Sequence, residues 1–277
     1  MTTTLQLALL GKPEISLAGV PLARLKYQKS LALLVYLAVT GRPHSREALA
    51  GLLWGESTEA NARASLRKSL AELRARVGDH LIIERRQVAF NREAAYSLDV
   101  EDFEAPIERF RTRTGADLHP EEAGALALAL DAYQGDFLAG FYVRRAAAFK
   151  EWAALHRERF WLMALRGLHT LANHYLTRGD YPQAIGHIER LLALEPYQEE
   201  AHRQLISLLA LDGRRGAALR QYETCRRLLR AELGIEPQAE ATALYHRIKD
   251  QSAPDAQPRG QHRPLPALRR GWEPAGA

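Results

Sequence analysis

Between Glu59 and Val77 the chain reads EANARASLRKSLAELRARV. Five basic side chains (Arg63, Arg67, Lys68, Arg74, Arg76) stand there against two carboxylates, Glu59 and Glu72. Wound as a helix at 100° per residue with Leu66 at the centre of the inner face, the segment buries Ala62, Leu70, Leu73 and Val77 beside it. The opposite side then presents Asn61, Ala64, Lys68, Glu72 and Ala75, flanked by Ser65 and Arg67. Arg and Lys can donate to guanine O6 and N7, and Asn can pair with adenine. Small residues between them let a helix enter a groove about 12 Å wide. Asn61, Arg63, Ser65, Arg67, Lys68 and Arg74 are therefore the candidate duplex-reading residues. The two glutamates count against this, because a carboxylate facing DNA costs affinity unless it accepts from cytosine N4 or pairs with a neighbour such as Lys68. Taken alone, the segment reads at least as well as an ordinary solvated amphipathic helix.

Two further groups shift the balance. Arg85 and Arg86 lie between the strand-like runs Leu81–Glu84 and Val88–Asn91, at the tip of a hairpin. Arginines there suit insertion into a narrow minor groove. Lys26, Lys29, Ser45 and Arg46 fall near the starts of two preceding helices, where phosphate contacts are made. Net charge agrees with this placement. Residues 1–100 hold 14 Lys and Arg against 9 Asp and Glu, whereas the rest holds 24 of each. The whole net charge of +5 thus belongs to the first third, which points to an anionic partner for that part.

The elements that must position these groups follow from the punctuation. Leu5–Leu9, Glu14–Leu17 and Val20–Leu22 read as short strands separated by Gly11, Pro13 and Gly19. Helices are expected over about 28–39, from the N-cap Ser45 to Trp54, and from Ser57-Thr58 to Val77 with Gly78 as the stop. The order β-β-β-α-α-α-β-β in about 100 residues is a winged-helix arrangement. From Asp99 the pattern is helical, apart from a loop over 111–120. Helices are expected over 120–134, 144–178, 181–194, 198–211, 214–233 and 239–250. Leu171, Tyr175, Gly179 and Ala184 repeat 34 residues later as Leu205, Leu209, Gly213 and Ala218, the period of tetratricopeptide repeats. The expected fold class is mainly α, an N-terminal α+β winged helix-turn-helix followed by an all-α tetratricopeptide-like domain. Its parts are 1–98 for DNA binding, 99–250 for the helical repeats, and 251–277 as a disordered tail of Gln, Pro, Arg and Gly.

Chemistry of other kinds has little to stand on. The sequence contains no Walker loop, G-x-G-x-x-G, G-x-S-x-G or H-E-x-x-H, so it is not expected to be an enzyme. Its one cysteine, Cys225, forbids an internal disulfide and a cysteine-based zinc cage. Among Glu223, Arg226 and Arg227 its pKa could be depressed, although burial in a repeat helix is the plainer reading. His169, His174 and His187 lack the partners of a metal set, and Tyr133, Phe137, Phe141, Tyr142, Trp152 and Trp161 have the spacing of core aromatics. Neither cofactor nor metal is expected. No apolar run is long enough to span a bilayer, and the N-terminus lacks the pattern of a signal peptide. A cytoplasmic, nucleoid-associated protein with no membrane partner is expected.

With these residues in view, both halves resemble a known family. Residues 5–98 are similar to the OmpR/PhoB-type DNA-binding domain as found in the Streptomyces antibiotic regulatory protein family (SARP). The resemblance rests on Lys29-Ser30-Leu31-Ala32-Leu33-Leu34-Val35-Tyr36-Leu37-Ala38, Leu52-Leu53-Trp54-Gly55, Asn61-Ala62-Arg63-Ala64-Ser65-Leu66-Arg67 and Leu73-Arg74. Residues 99–250 are similar to the bacterial transcriptional activation domain (BTAD) that follows it. They match it in Tyr133-Gln134-Gly135-Asp136-Phe137-Leu138, Gly179-Asp180-Tyr181, Leu194-Glu195-Pro196, Glu199-Glu200-Ala201-His202-Arg203, Tyr222-Glu223-Thr224-Cys225-Arg226-Arg227 and Glu232-Leu233-Gly234-Ile235-Glu236-Pro237. The resemblance implies a transcriptional activator that binds direct repeats in double-stranded promoter DNA as side-by-side copies, a homodimer on DNA. It also implies contact with RNA polymerase or its sigma factor. The helix carrying Arg63, Arg67 and Lys68 would be the recognition helix. Two alternatives stay open: a repeat scaffold that binds protein partners, and a repressor that uses the same DNA contacts.

Overall fold

The computed structural model describes residues 4–22 and 28–250. Lys26 and the expected tail 251–277 lie outside the described residues. The chain opens with β1 (Leu5–Ala8), β2 (Glu14–Leu17) and β3 (Val20–Pro21). Their alternation puts Leu5, Leu7 and Ile15 inward and Gln6 and Glu14 outward. Next come α1 (Gln28–Thr40), β4 (His44–Ser45), α2 (Arg46–Trp54) and α3 (Glu59–Val77). A hairpin of β5 (Leu81–Ile83) and β6 (Gln87–Phe90) follows, then β7 (Tyr96–Leu98).

Two strands were not expected. Strand β7 runs parallel to β1 and closes a four-stranded sheet of order β3-β2-β1-β7. Strand β4 pairs with β6, which makes the hairpin a three-stranded sheet of order β4-β6-β5. Segments of two and three residues carry no periodicity of their own, and distant partners create them: His44 pairs with Val88, and Leu5 with Tyr96. The three helices, by contrast, fall within a residue or two of the expected limits. Ser45 caps α2 by accepting from Ala48 N at 3.1 Å, and Gly78 ends α3 at φ +54 with its N–H on Arg74 O.

The second half is helical: α4 (Asp99–Arg109), α5 (Pro120–Ala132), α6 (Ala147–Thr177), α7 (Tyr181–Leu194), α8 (Glu199–Leu211), α9 (Arg215–Leu228) and α10 (Ala239–Asp250). Helix α9 stops short of the expected Leu233 because a π-helical turn over Leu229–Leu233 takes over and ends at left-handed Gly234. The repeat is structural as well as textual. Leu171, Ala184, Leu205 and Ala218 are buried. Gly179 and Gly213 each turn the chain at φ above +70 between paired helices.

Gly115 plugs the short 3-10 turn Gly115–Asp117 onto α6. A Cβ there would lie 2.5 Å from both His174 N and Thr170 O, and backbone cannot yield as a flexible side chain could. Overpacking of this kind costs about 1–3 kcal/mol. Gly115→Ala should lower the thermal midpoint by several degrees, and an unchanged melting curve would refute the close packing.

The two halves share one contiguous core. No linker separates them: β7 ends at Leu98 and α4 begins at Asp99. Asp99 Oδ2 accepts from Leu9 N at 2.6 Å and Leu10 N at 2.8 Å. Leu10 forms a β-bridge with Phe137, and Leu138 N donates to Leu9 O at 2.9 Å. Helix α6 packs on α2, and its Trp152 meets Tyr36 of α1 edge to face at 4.9 Å.

Candidate nucleic-acid interface

Helix α3 is seated by Ala62, Leu66, Ser69, Leu70, Leu73 and Val77, all buried. Its main packing partners are α1, α2, β5 and the turn after Val77. Asn61, Arg63, Arg67, Lys68, Ala71, Arg74, Ala75 and Arg76 remain exposed, and Ser65 is half-buried. Arg63 pairs with Glu59 one turn earlier, with both side chains well exposed, so that pair is weak and easily surrendered. Thr58 gives the helix no side-chain cap, which leaves first-turn amides open to an anion.

Glu72, which the helical wheel sets on the outward face, is turned aside. Its Oε2 accepts from the buried Ser30 Oγ at 2.5 Å. The carboxylate thus sits at the first turn of α1, where the helix dipole favours it, and the basic residues dominate the open face.

The wing stands beside this face. Glu84 N donates to Gln87 O, and Gln87 Nε2 donates to Glu84 Oε2, both at 2.9 Å. These bonds hold the tip, where Arg85 and Arg86 are exposed. Arg46 braces the tip from α2: its backbone N donates to Arg86 O at 3.1 Å and its Nε to Glu84 O at 3.0 Å. The wing is therefore fixed relative to α2 and α3.

The expected phosphate contacts fare differently. Ser45 spends its hydroxyl on the cap and Arg46 spends its Nε on the brace. The Lys29 ammonium donates to Leu53 O and, at 2.8 Å, to Arg145 O from the helical half, and it lies 5.5 Å from the Trp54 ring. Burial lowers its pKa, Arg145 adds to that, and Glu56 opposes it. Through these two carbonyls Lys29 ties the halves together. Nothing local in the sequence shows this, because both carbonyls arrive from distant positions.

Burial holds His169, His174 and His187 below the usual imidazole value, and His187 stacks on Tyr175. Among the described residues no three His, Cys, Asp or Glu side chains could hold a metal, and no helix is long and apolar enough to cross a membrane. Tyr142 departs from the expected core role: it is 57% exposed and accepts from Lys150 Nζ at 2.7 Å. Cys225 is buried, and burial pushes its thiol up to about 11. Thiol reagents at pH 8 should leave the native protein unmodified and react fully once denaturant is added. Rapid native labelling would contradict the burial.

A braced wing, an open basic helix and a repeat domain joined without a linker define a class of transcription regulator. Residues 98–249 match the bacterial transcriptional activator domain, and the chain belongs to that family, whose members are SARP-like transcription regulators rather than enzymes. It is 28% identical over 249 residues to Regulatory protein AfsR of Streptomyces coelicolor, a match covering 88% of this chain and 24% of that protein. It is 27% identical over 251 residues to Transcriptional regulatory protein MoaR1 of Mycobacterium bovis, covering 88% of this chain and 78% of MoaR1. A solved structure, Mycobacterium tuberculosis EmbR in complex with a low affinity phosphopeptide, superposes with a TM-score of 0.65 at 25% identity. That superposition covers 91% of this chain and 67% of the EmbR chain. The chain spans about a quarter of the length of AfsR.

Proposed function

We propose that this regulator binds promoter DNA through residues 1–98 and acts on transcription through residues 99–250. Helix α3 enters the major groove, where Asn61, Arg67 and Lys68 select sequence. Arg63, Ser65 and Arg74 line its flanks, and Arg85 and Arg86 approach the adjacent minor groove. The observation that carries this reading is that α3 keeps its basic face open although the two halves are fused: the helical half grips α2 and leaves the outward side of α3 alone. The match to a transcriptional activator domain favours activation, with RNA polymerase or its sigma factor as the protein partner and copies arranged side by side on repeated sites.

Selection from a random duplex pool tests the core of this proposal. A directly repeated consensus is expected, and failure to enrich any sequence would refute it. The wing has its own signature. Arg85→Ala with Arg86→Ala should weaken binding to preferred and random duplexes alike and flatten the dependence of log K on log salt by about 1–2 units. An unchanged slope would remove the wing from the interface.

A further inference from the structure

The loop leading into α6 carries Tyr142, Val143, Arg144 and Arg145. Val143 and Ala146 are buried as pins, and between them both arginines are exposed. Arg145 holds φ at +50, a left-handed conformation that a non-glycine residue adopts only when its surroundings impose it. What imposes it is visible: the Arg145 carbonyl turns inward to Lys29 Nζ, which also holds Leu53 O in the last turn of α2. The strained residue fastens the loop beside the HTH and leaves two guanidinium groups outside. Most arginines of this half find a carboxylate or a carbonyl, as Arg159, Arg190 and Arg215 do. Among the described residues, neither Arg144 nor Arg145 has an ion pair. Beside them the Tyr142 hydroxyl accepts from Lys150 and keeps its own proton free to donate.

We propose that Arg144 and Arg145, with Tyr142 beside them, are phosphate-contacting residues that the helical half contributes to the DNA interface. This rests on the reading of α3 as the duplex-binding helix. Leu53 and Thr58, the N-cap of α3, are five residues apart, and the Lys29 ammonium joins Leu53 O to Arg145 O, so the Arg145 backbone lies within about 25 Å of the first turn of α3. One turn of duplex is about 34 Å long. A duplex seated on α3 is therefore long enough to bring phosphates to the loop. Positive charge with no ion-pair partner among the described residues is held there by a strained backbone, and backbone phosphates are the ligand that such charge fits. The helical half is then part of the DNA-binding surface, and its docking on α2 sets the position of these contacts.

The test uses the full chain, the duplex recovered by selection and a random duplex of equal length. Arg144→Gln/Arg145→Gln should lower the salt slope by about 2 and weaken binding to both duplexes by on the order of tens-fold at 0.1 M salt. Arg144→Lys/Arg145→Lys should restore the slope, which a merely structural role would not predict. Wild-type slope and affinity in the Gln variant, with binding lost in Arg67→Ala/Lys68→Ala, would overturn this assignment alone. So would intact duplex binding with lost activation in purified transcription, because the patch would then face a protein. If the wild-type chain bound neither duplex, the reading of α3 and this extension would fall together.

Discussion

Replacing Arg67 and Lys68 together by alanine should lower affinity for the selected duplex by roughly a hundredfold or more, and affinity for random duplex far less. Each good side-chain contact to a base edge is worth about 1–3 kcal/mol of discrimination. Both side chains are exposed on the open face of α3, and among the described residues neither forms a salt bridge, whereas Glu59 pairs with Arg63. Their removal exposes no core surface, because the inner face is made by Ala62, Leu66, Leu70, Leu73 and Val77. The double variant should therefore melt with the wild type. Competition binding against both duplexes measures the effect. Equal losses on the two would reduce these residues to general electrostatics and move sequence selection elsewhere.

Phe137→Ala should be the most damaging single change to stability. The ring is fully buried and meets Phe160 at 5.3 Å and Trp152 at 5.8 Å. Its backbone bridges Leu10 of the first half and offers its carbonyl to Arg157 Nε at 3.3 Å. A buried Phe→Ala truncation costs about 3–5 kcal/mol, which for a chain of this size lowers the melting point by roughly 6–20 °C. Because the core is continuous, amide exchange should accelerate in β1 and α3 as well as in α5 and α6. Acceleration confined to the helical half, with the winged helix protected as before, would show that the two halves are separate cooperative units.

The helices were legible because their signals are local. Ser45 and Gly78 mark ends, and Leu66, Leu70 and Leu73 mark a face. The 34-residue echo was legible because Gly179 and Gly213 repeat a backbone requirement at φ above +70. What the sequence hid was created by distant partners. Strands β4 and β7 exist only through β6 and β1. Lys29 reads as free charge until Leu53 and Arg145 cover it. Glu72 reads as a defect in the basic face until Ser30, 42 residues earlier, takes it aside. Arg46 reads as a phosphate ligand, and only the register of β4 on β6 makes it a brace for the wing. Charge and periodicity reveal which residue types stand on a surface, whereas the hydrogen bonds that occupy them depend on tertiary neighbours.

The direct passage from β7 into α4 has a mechanical corollary. Two bodies on a flexible tether reorient separately, and each would relax in NMR at the rate of its own mass. Here Asp99, Leu10 and Phe137 lock the seam, so the whole particle should tumble with a single correlation time. Any torque that a partner exerts on the repeats would then reach the groove-facing helix undamped.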